Sequence, residues 1–127
     1  MPEVVIDASA LLALLNGEPG ADVVEEALPG GIISAVNLSE VVAKLCDTGM
    51  PEKAIRQVLT PLGLEIASFD EEQSYQAGMM GLSTQDSGIS LSDRACLSLA
   101  KMLGVIALTA DRAWAGLSVG VKVRVIR

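Results

Sequence analysis

Short apolar runs alternate with longer stretches of helical periodicity along this chain. Strand candidates are β-branched or aliphatic runs that end at turn residues or at an acidic residue, and they cover residues 4–6, 32–33, 64–67, 105–109 and 121–126. Helix candidates, in which apolar residues recur three or four positions apart, cover residues 10–15, 19–28, 36–45, 51–59, 70–80 and 93–103. Short strands that are separated by helices need crossover connections. The pattern therefore predicts an α/β fold of three layers, in which a mainly parallel central sheet of about five short strands is flanked by helices.

Two segments differ from the rest of this pattern. Residues 121–126 alternate apolar and polar side chains, which predicts an edge strand with one face in water. Residues 81–92 are rich in Gly, Ser and Thr and predict one extended loop. Because this loop is polar and directly precedes Asp93, we expect it to face a substrate.

The composition limits both the number of domains and the classes of chemistry. A chain of 127 residues fits one domain, so we expect a single folding unit over residues 1–127. No apolar run approaches the roughly 18 residues that span a bilayer, and the N-terminus lacks the basic start of a signal peptide, so we expect a cytoplasmic protein. The absence of histidine argues against zinc sites and against acid–base catalysis by His. Cys46 and Cys96 have no paired spacing, and we expect both to be reduced thiols in the core.

The net charge of −7 argues against a general nucleic-acid-binding protein, because nonspecific affinity comes from Lys and Arg that neutralise phosphates. It does not argue against a phosphate-handling enzyme, since a metal ion offsets the charge of the carboxylates that hold it. An acidic chain is also a suitable partner for a basic protein.

Four carboxylates lie at strand-to-helix junctions or about one turn inside a helix: Asp7, Glu40, Asp93 and Asp111. Asp7 and Asp111 directly follow two strands, and ligands of open α/β sheets bind beyond the carboxyl ends of the strands. Helix capping would explain each aspartate taken singly, and a solvated helix face would explain Glu40. The combination of oxygen ligands without His or paired Cys favours a pocket for Mg²⁺ or Mn²⁺.

Four segments resemble the conserved blocks of PIN-domain nucleases, and they are most similar to the VapC-type toxins of bacterial toxin–antitoxin systems. In chain order they are residues 5–13 (VIDASALLA), 33–41 (ISAVNLSEV), 91–100 (LSDRACLSLA) and 107–114 (ALTADRAW), so the resemblance extends from residue 5 to residue 114, nearly the whole chain. The resemblance implies a PIN-like fold and a metal-dependent endoribonuclease that hydrolyses RNA phosphodiester bonds as the toxin of a toxin–antitoxin pair. It also implies a homodimer and a cognate antitoxin, whose basic segment would lie across the acidic cleft.

The resemblance also implies roles for the acidic residues when they are carried over position by position. Asp7 and Asp93 would be the primary ligands of Mg²⁺ or Mn²⁺, and Glu40 and Asp111 would complete the acidic pocket. The last block is the least uniform part of the family, so the role of Asp111 is the most open to reassignment.

Other positions in the blocks have supporting roles. Ser9 would face the metal or the substrate, and Thr109 would be a supporting hydroxyl. Arg94 and Arg112 each follow a site aspartate, and either phosphate contacts or ordinary surface ion pairs would explain them. Trp114 could stack on a base, but we expect it to lie in the core.

Other functions stay open on the sequence. A PIN nuclease that processes RNA or cleaves DNA without an antitoxin would have the same residues. A non-catalytic PIN scaffold is a further alternative, although all four acidic positions are present. A phosphatase of the haloacid-dehalogenase type would need a second Asp two positions after Asp7, where this chain has Ser9, and the acidic pair and Lys of a receiver domain are also missing.

Overall fold

A parallel sheet of five strands forms the centre of the protein, in a computed structural model that describes residues 2–84 and 88–127. The strands are β1 (Val4–Ile6), β2 (Gly31–Ser34), β3 (Glu65–Ala67), β4 (Ile106–Thr109) and β5 (Val123–Val125). Their order in the sheet is β3-β2-β1-β4-β5, and each pairing is parallel. The predicted α/β class and parallel sheet are confirmed.

Helices connect these strands, as the crossover of parallel strands requires. They are α1 (Ala8–Leu15), α2 (Ala21–Ala27), α3 (Ala35–Asp47), α4 (Glu52–Leu59), α5 (Glu71–Met79), α6 (Gly81–Thr84) and α7 (Leu91–Leu103). Short 3-10 turns follow α2, α4 and β4. None of the helices in the described ranges combines the length and the apolar character that crossing a membrane requires.

The central strand β1 divides its side chains between two hydrophobic cores. Val4 and Ile6 pack on one face of the sheet with residues of α1 to α4. Val5 packs on the other face with residues of α7 and with Trp114, which is fully buried as expected. Successive side chains of a strand point to opposite faces, so a β-branched run without polar residues is suited to a sheet that is covered on both sides. The result is the predicted arrangement of three layers.

The order of the strands reverses direction at β1. The chain passes from β1 outward through β2 to β3, and then returns to place β4 on the opposite side of β1. This reversal is the topological switch point of the sheet, and ligands of open α/β sheets bind beyond the carboxyl ends of the strands at such a point. Ile6 of β1 is in register with Leu108 of β4, so the next residues, Asp7 and Thr109, meet at this position.

The predicted loop at residues 81–92 was partly wrong. Its first residues form α6, and α7 begins at Leu91, ahead of the expected start at Asp93. Ser90 caps α7, because its hydroxyl accepts a hydrogen bond from the backbone N–H of Asp93 at 3.2 Å. Residues 85–87, in the middle of the expected loop, lie outside the described residues.

The last strand and the cysteines gave mixed outcomes. β5 is an edge strand as predicted, although it spans only Val123–Val125. Cys96 is buried in the core as expected. The expectation for Cys46 was wrong, because this thiol is exposed on α3. Helical spacing placed Cys46 in an apolar pattern, but Leu45 takes the buried position beside it.

Candidate active site

The side chain of Asp7 is held by two hydroxyl groups at the end of β1. Ser9 Oγ donates to Asp7 Oδ2 at 2.6 Å, and Thr109 Oγ1 donates to the same oxygen at 2.9 Å. Asp7 occupies the N-cap position of α1 in an extended conformation, yet its side chain makes no capping bond. Helix capping therefore does not explain this aspartate, which is only 4% exposed.

The backbone after β4 fixes the direction of both hydroxyl groups. Ser9 Oγ accepts a hydrogen bond from the N–H of Ala110 at 3.0 Å, and Thr109 Oγ1 accepts one from the N–H of Asp111 at 3.0 Å. A hydroxyl has one hydrogen to donate, and in each case it is directed at Asp7 Oδ2. Because both bonds use Oδ2, the other oxygen, Oδ1, is left to meet a ligand or a proton.

Electrostatics place two further carboxylates near Asp7. Burial raises the pKa of Asp7 above its ordinary value, the two hydroxyl bonds lower it in part, and the negative charges of Asp93 and Glu40 raise it again. The pKa of the buried Cys96 thiol is raised first by burial and then by the same three carboxylates. Since charge–charge effects decline with distance, Asp7, Glu40 and Asp93 form one acidic cluster. Asp111 is not among the causes of either shift.

Glu40 and Asp93 enter this acidic cluster from two different helices. Glu40 lies beyond the first turn of α3, out of capping range, and is half-buried. Asp93 is half-buried in the first turn of α7, where its Oδ2 accepts from the N–H of Ser90 at 3.0 Å and completes a capping box. Asp93 therefore takes part in capping α7, and this bond uses one of its two carboxylate oxygens. Its negative charge still raises the pKa of Asp7.

Asp111 serves a local role in the structure. It is exposed, and its Oδ1 accepts a hydrogen bond from the N–H of Ala113 at 2.9 Å, which caps the 3-10 turn after β4. Its backbone N–H, rather than its carboxylate, contacts the hydroxyl network through Thr109. The carboxylate of Asp111 therefore stabilises the turn after β4, and its backbone N–H orients the hydroxyl of Thr109.

The donor set of the acidic cluster is compatible with a hard divalent cation. Its donor atoms are carboxylate oxygens, and a cation there would offset the charges of Glu40 and Asp93 that raise the pKa of Asp7. Among the described residues, no three acidic side chains stand close enough to be direct ligands of one ion together. Mg²⁺ commonly takes one or two protein carboxylates and keeps several waters, so two carboxylates would be enough to hold one ion.

The two arginines that follow site aspartates have different environments. Arg112 is exposed, and its Nε donates to the carbonyl oxygen of Arg127 at 3.1 Å. Arg94 is half-buried, and its Nε has no hydrogen-bond partner within the described ranges. Its guanidinium lies against Gly81, at the start of α6, where a methyl group would overlap Nη1. Of the two arginines, Arg94 is therefore the one whose Nε keeps an unused hydrogen bond within the described residues.

Asn37 joins the two helices that carry Glu40 and Asp93, and the sequence pattern assigned it no role. It is fully buried on α3, three residues before Glu40, and its Nδ2 donates to the carbonyl oxygen of Ser92 at 2.9 Å. A signal was present in the sequence. Asn37 precedes Val41 and Leu45 at helical spacing, so an amide stands in a stripe of otherwise apolar core residues.

Comparison with known proteins identifies relatives that are named ribonucleases and solved structures with similar folds. Ribonuclease VapC42 of Mycobacterium tuberculosis is 32% identical to this chain over 78 residues, which are 58% of this chain and 60% of that protein. VapC ribonuclease Mb2780c of Mycobacterium bovis matches to the same extent. The aligned part therefore spans about three fifths of the length of these curated relatives.

Solved structures extend the likeness to the whole fold. DNA-bound VapBC from Salmonella typhimurium aligns with a TM-score of 0.78 and 16% identity, covering 100% of both chains. A toxin–antitoxin complex from Klebsiella pneumoniae aligns with a TM-score of 0.76 and 20% identity, covering 98% of both chains. The model of the PIN domain matches residues 4–119, which include the four carboxylates and both hydroxyl residues. This chain therefore belongs to the PIN domain family.

Proposed function

We propose that the protein is a metal-dependent endoribonuclease that hydrolyses RNA phosphodiester bonds and acts as the toxin of a toxin–antitoxin pair. The observation that carries this proposal is the buried carboxylate of Asp7, which two hydroxyl groups orient beside Glu40 and Asp93. The name of the ribonuclease relatives supports RNA as the substrate, and the toxin–antitoxin complexes among the structural relatives support an antitoxin partner.

The cofactor in this proposal is Mg²⁺ or Mn²⁺. Bound at the acidic cluster, such an ion supplies a Lewis acid for a phosphodiester oxygen and lowers the pKa of a coordinated water. Asp7 and Asp93 hold it, while Ser9 and Thr109 keep the carboxylate of Asp7 in one orientation. The half-buried carboxylate of Glu40 accepts a hydrogen bond from the attacking water and orients it. Direct support is cleavage of a panel of structured RNAs, with DNA strands of the same sequences as controls.

We expect Asp93→Asn and Asp111→Asn to differ sharply in RNA cleavage. The amide oxygen of asparagine can accept the backbone N–H bond that each aspartate accepts, from Ser90 or from Ala113, so both variants keep the local structure. Loss of the Asp93 charge removes a metal ligand and should lower kcat/KM about 100-fold or more, whereas Asp111→Asn should lower it less than about tenfold. Both variants are measured on one short RNA. Equal decreases in kcat/KM would indicate that Asp111 is also a metal ligand.

Arg94 is the proposed phosphate contact, and Gly81 is the residue that makes room for it. We expect Gly81→Ala to displace the guanidinium and to lower kcat/KM about tenfold, the scale of a lost charge-assisted hydrogen bond. The melting temperature should not fall, because alanine is the better helix former and a flexible side-chain end moves readily. Gly78→Ala in α5 is the matched control, since no atom lies near its added methyl group. Identical kinetics of the two variants would contradict this role. Arg112, which is tied to Arg127, is the secondary candidate.

An antitoxin partner would meet two neighbouring surfaces. The acidic cluster suits a basic segment, because the whole chain carries a net charge of −7. Beside it lies an apolar groove of about 750 Å³ between α1, α3, α4 and β3, whose lining includes Leu11, Val42 and Ile66. Because α1 begins just after Asp7 and α3 carries Glu40, a partner with an apolar segment in this groove would also cover the acidic cluster.

We expect Ile66→Arg to weaken antitoxin binding at least about tenfold while RNA cleavage is unchanged. Ile66 is 46% exposed on the edge strand β3, and a cation there repels a basic partner and disrupts apolar contact. Val58→Arg is the control, since Val58 is an exposed apolar residue outside the groove lining. The protein to be tested as the partner is the product of the adjacent gene, and calorimetry measures its binding. If the two variants bind the antitoxin with equal affinity, the antitoxin binds at a surface other than this groove.

The homodimer is also part of the proposal. Large apolar side chains are exposed in succession on α5 and α6, namely Tyr75, Met79 and Leu82. Tyr75 and Met79 are four residues apart and so lie on one side of α5. A second copy of the chain would bury this surface, which lies on different elements from the antitoxin groove.

A PIN nuclease that works without an antitoxin, in RNA processing or DNA cleavage, is the alternative function. It shares the same site, so the difference appears in the cell. A toxin arrests bacterial growth on induction, and co-expression of its genomic neighbour restores growth. Normal growth with active protein present would favour the alternative, and absence of any cleavage would favour the non-catalytic scaffold.

A further inference from the structure

One buried amide joins the two helices that carry Glu40 and Asp93. Asn37 lies in the first turn of α3 and is fully buried. Its Nδ2 donates to the carbonyl oxygen of Ser92 at 2.9 Å, and Ser92 directly precedes Asp93 in α7. The bond thus connects positions that are 55 residues apart in the sequence.

The orientation of this amide follows from chemistry. Turning it over would bring Oδ1 against the carbonyl oxygen of Ser92, and two acceptors do not form a hydrogen bond. In the bonded orientation, Oδ1 is buried and has no partner within the described part of the chain. Leaving a buried acceptor unpaired destabilises the fold, and a leucine of similar size would fill the same space without that effect. Packing alone therefore does not account for an asparagine here.

The geometry gives Asn37 a task at the acidic cluster. Glu40 follows it by three residues and so lies on the same side of α3. Glu40 and Asp93 repel each other across the gap between α3 and α7, and both raise the pKa of Asp7. This repulsion would push α3 and α7 apart near the two carboxylates. The hydrogen bond from Asn37 to Ser92 holds the two helices together there.

We propose that Asn37 is a positioning residue, which sets the spacing of Glu40 and Asp93 so that the acidic cluster binds a divalent cation. This inference rests on the proposed function and deepens it. The contact is made by Nδ2 to the backbone, so Asn37 acts on the site through α7 and not as a ligand.

The test is calorimetric titration of Mn²⁺ into the full chain after removal of bound metal, with the melting temperature measured on each sample. Asn37→Leu should fold with an unchanged or higher melting temperature, because the carbonyl of Ser92 keeps its place in α7 and the unpaired Oδ1 is gone. Its affinity for Mn²⁺ should fall about tenfold or more, as for other residues that orient metal ligands. Asn37→Ala is the second variant, for use if leucine disturbs folding.

Gln73→Leu is the matched control, because Gln73 is another buried amide whose oxygen has no partner among the described residues, but it lies on α5. It should retain the wild-type affinity for Mn²⁺. A folded Asn37 variant that binds Mn²⁺ as tightly as the wild type overturns the role of Asn37 and leaves the proposed function intact. A wild-type chain that does not bind Mn²⁺ overturns both.

Discussion

Replacing Asp7 with asparagine is expected to reduce RNA cleavage at least about 1,000-fold, a loss of about 4 kcal/mol of transition-state stabilisation. The amide oxygen of the new side chain can accept the hydrogen bonds of Ser9 and Thr109 in place of Oδ2. The charge that would hold a cation is lost, while the shape of the site is kept. Cleavage of a short RNA under single-turnover conditions measures the change.

The same substitution should not destabilise the metal-free protein at neutral pH. The pKa of Asp7 is raised in the folded state, chiefly by burial, so the folded protein binds this proton more tightly than the unfolded chain does. The stability contributed by this group is therefore present below the unfolded pKa and is lost as the pH rises through the folded pKa. The amide of the Asp7→Asn variant does not ionise, so its free energy of unfolding should increasingly exceed that of the wild type over this pH range.

The control for Asp7→Asn is Asp47→Asn, which makes the same change of charge at an exposed position at the end of α3. It should leave both cleavage and the pH dependence of unfolding close to those of the wild type. Urea unfolding in the presence of a chelator gives the free energies. Undiminished cleavage by a folded Asp7→Asn protein would falsify the assignment of this residue as a metal ligand.

Removal of divalent metal is expected to stop RNA cleavage completely, and Mg²⁺ or Mn²⁺ should restore it. The ion has a second effect that does not depend on turnover. Binding to the folded state at a hundredfold excess over its Kd stabilises the protein by about 2.7 kcal/mol, which raises the melting temperature by several degrees in a chain of this size. The offset of the negative charges of Asp7, Glu40 and Asp93 by the cation favours this binding and so lowers the Kd.

The specificity of that thermal shift is checked with two variants. Asp7→Asn should show little stabilisation by Mn²⁺, and Asp111→Asn should show nearly all of it, because Asp111 is exposed and caps the turn after β4. Cleavage that persists in a chelator, together with a melting temperature that Mn²⁺ does not change, would exclude a metal-dependent mechanism.

The fold was largely predictable because its signals are local. Runs such as Val4–Ile6 contain only β-branched residues and end at an acidic or a turn residue, so each element is specified within a few positions. Errors arose where the sequence permits more than one local structure. Residues 81–92 are polar enough for a loop, yet α6 forms within them and Ser90 starts α7 earlier than Asp93.

The carboxylates of the candidate site were named from the sequence and its resemblance, but the contacts of each carboxylate were not. The sequence by itself placed Asp7, Asp93 and Asp111 at element ends and Glu40 inside a helix, since these positions follow from periodicity along the chain. It could not distinguish Asp7, which makes no capping bond, from Asp111, which does. The difference depends on Thr109, a residue 102 positions away that reaches Asp7 only because β4 pairs with β1.

The sequence therefore determined the class of fold, the order of its elements and the oxygen-rich chemistry of the acidic cluster, because hydrophobic periodicity and residue type are written locally. Only the tertiary structure shows which carboxylates raise the pKa of Asp7 and that Asn37 joins α3 to α7. It also shows that Arg94 Nε has no hydrogen-bond partner within the described residues. These properties depend on distances between segments that are far apart in the chain. Such distances arise only when the parallel sheet brings the carboxyl ends of β1 and β4 together.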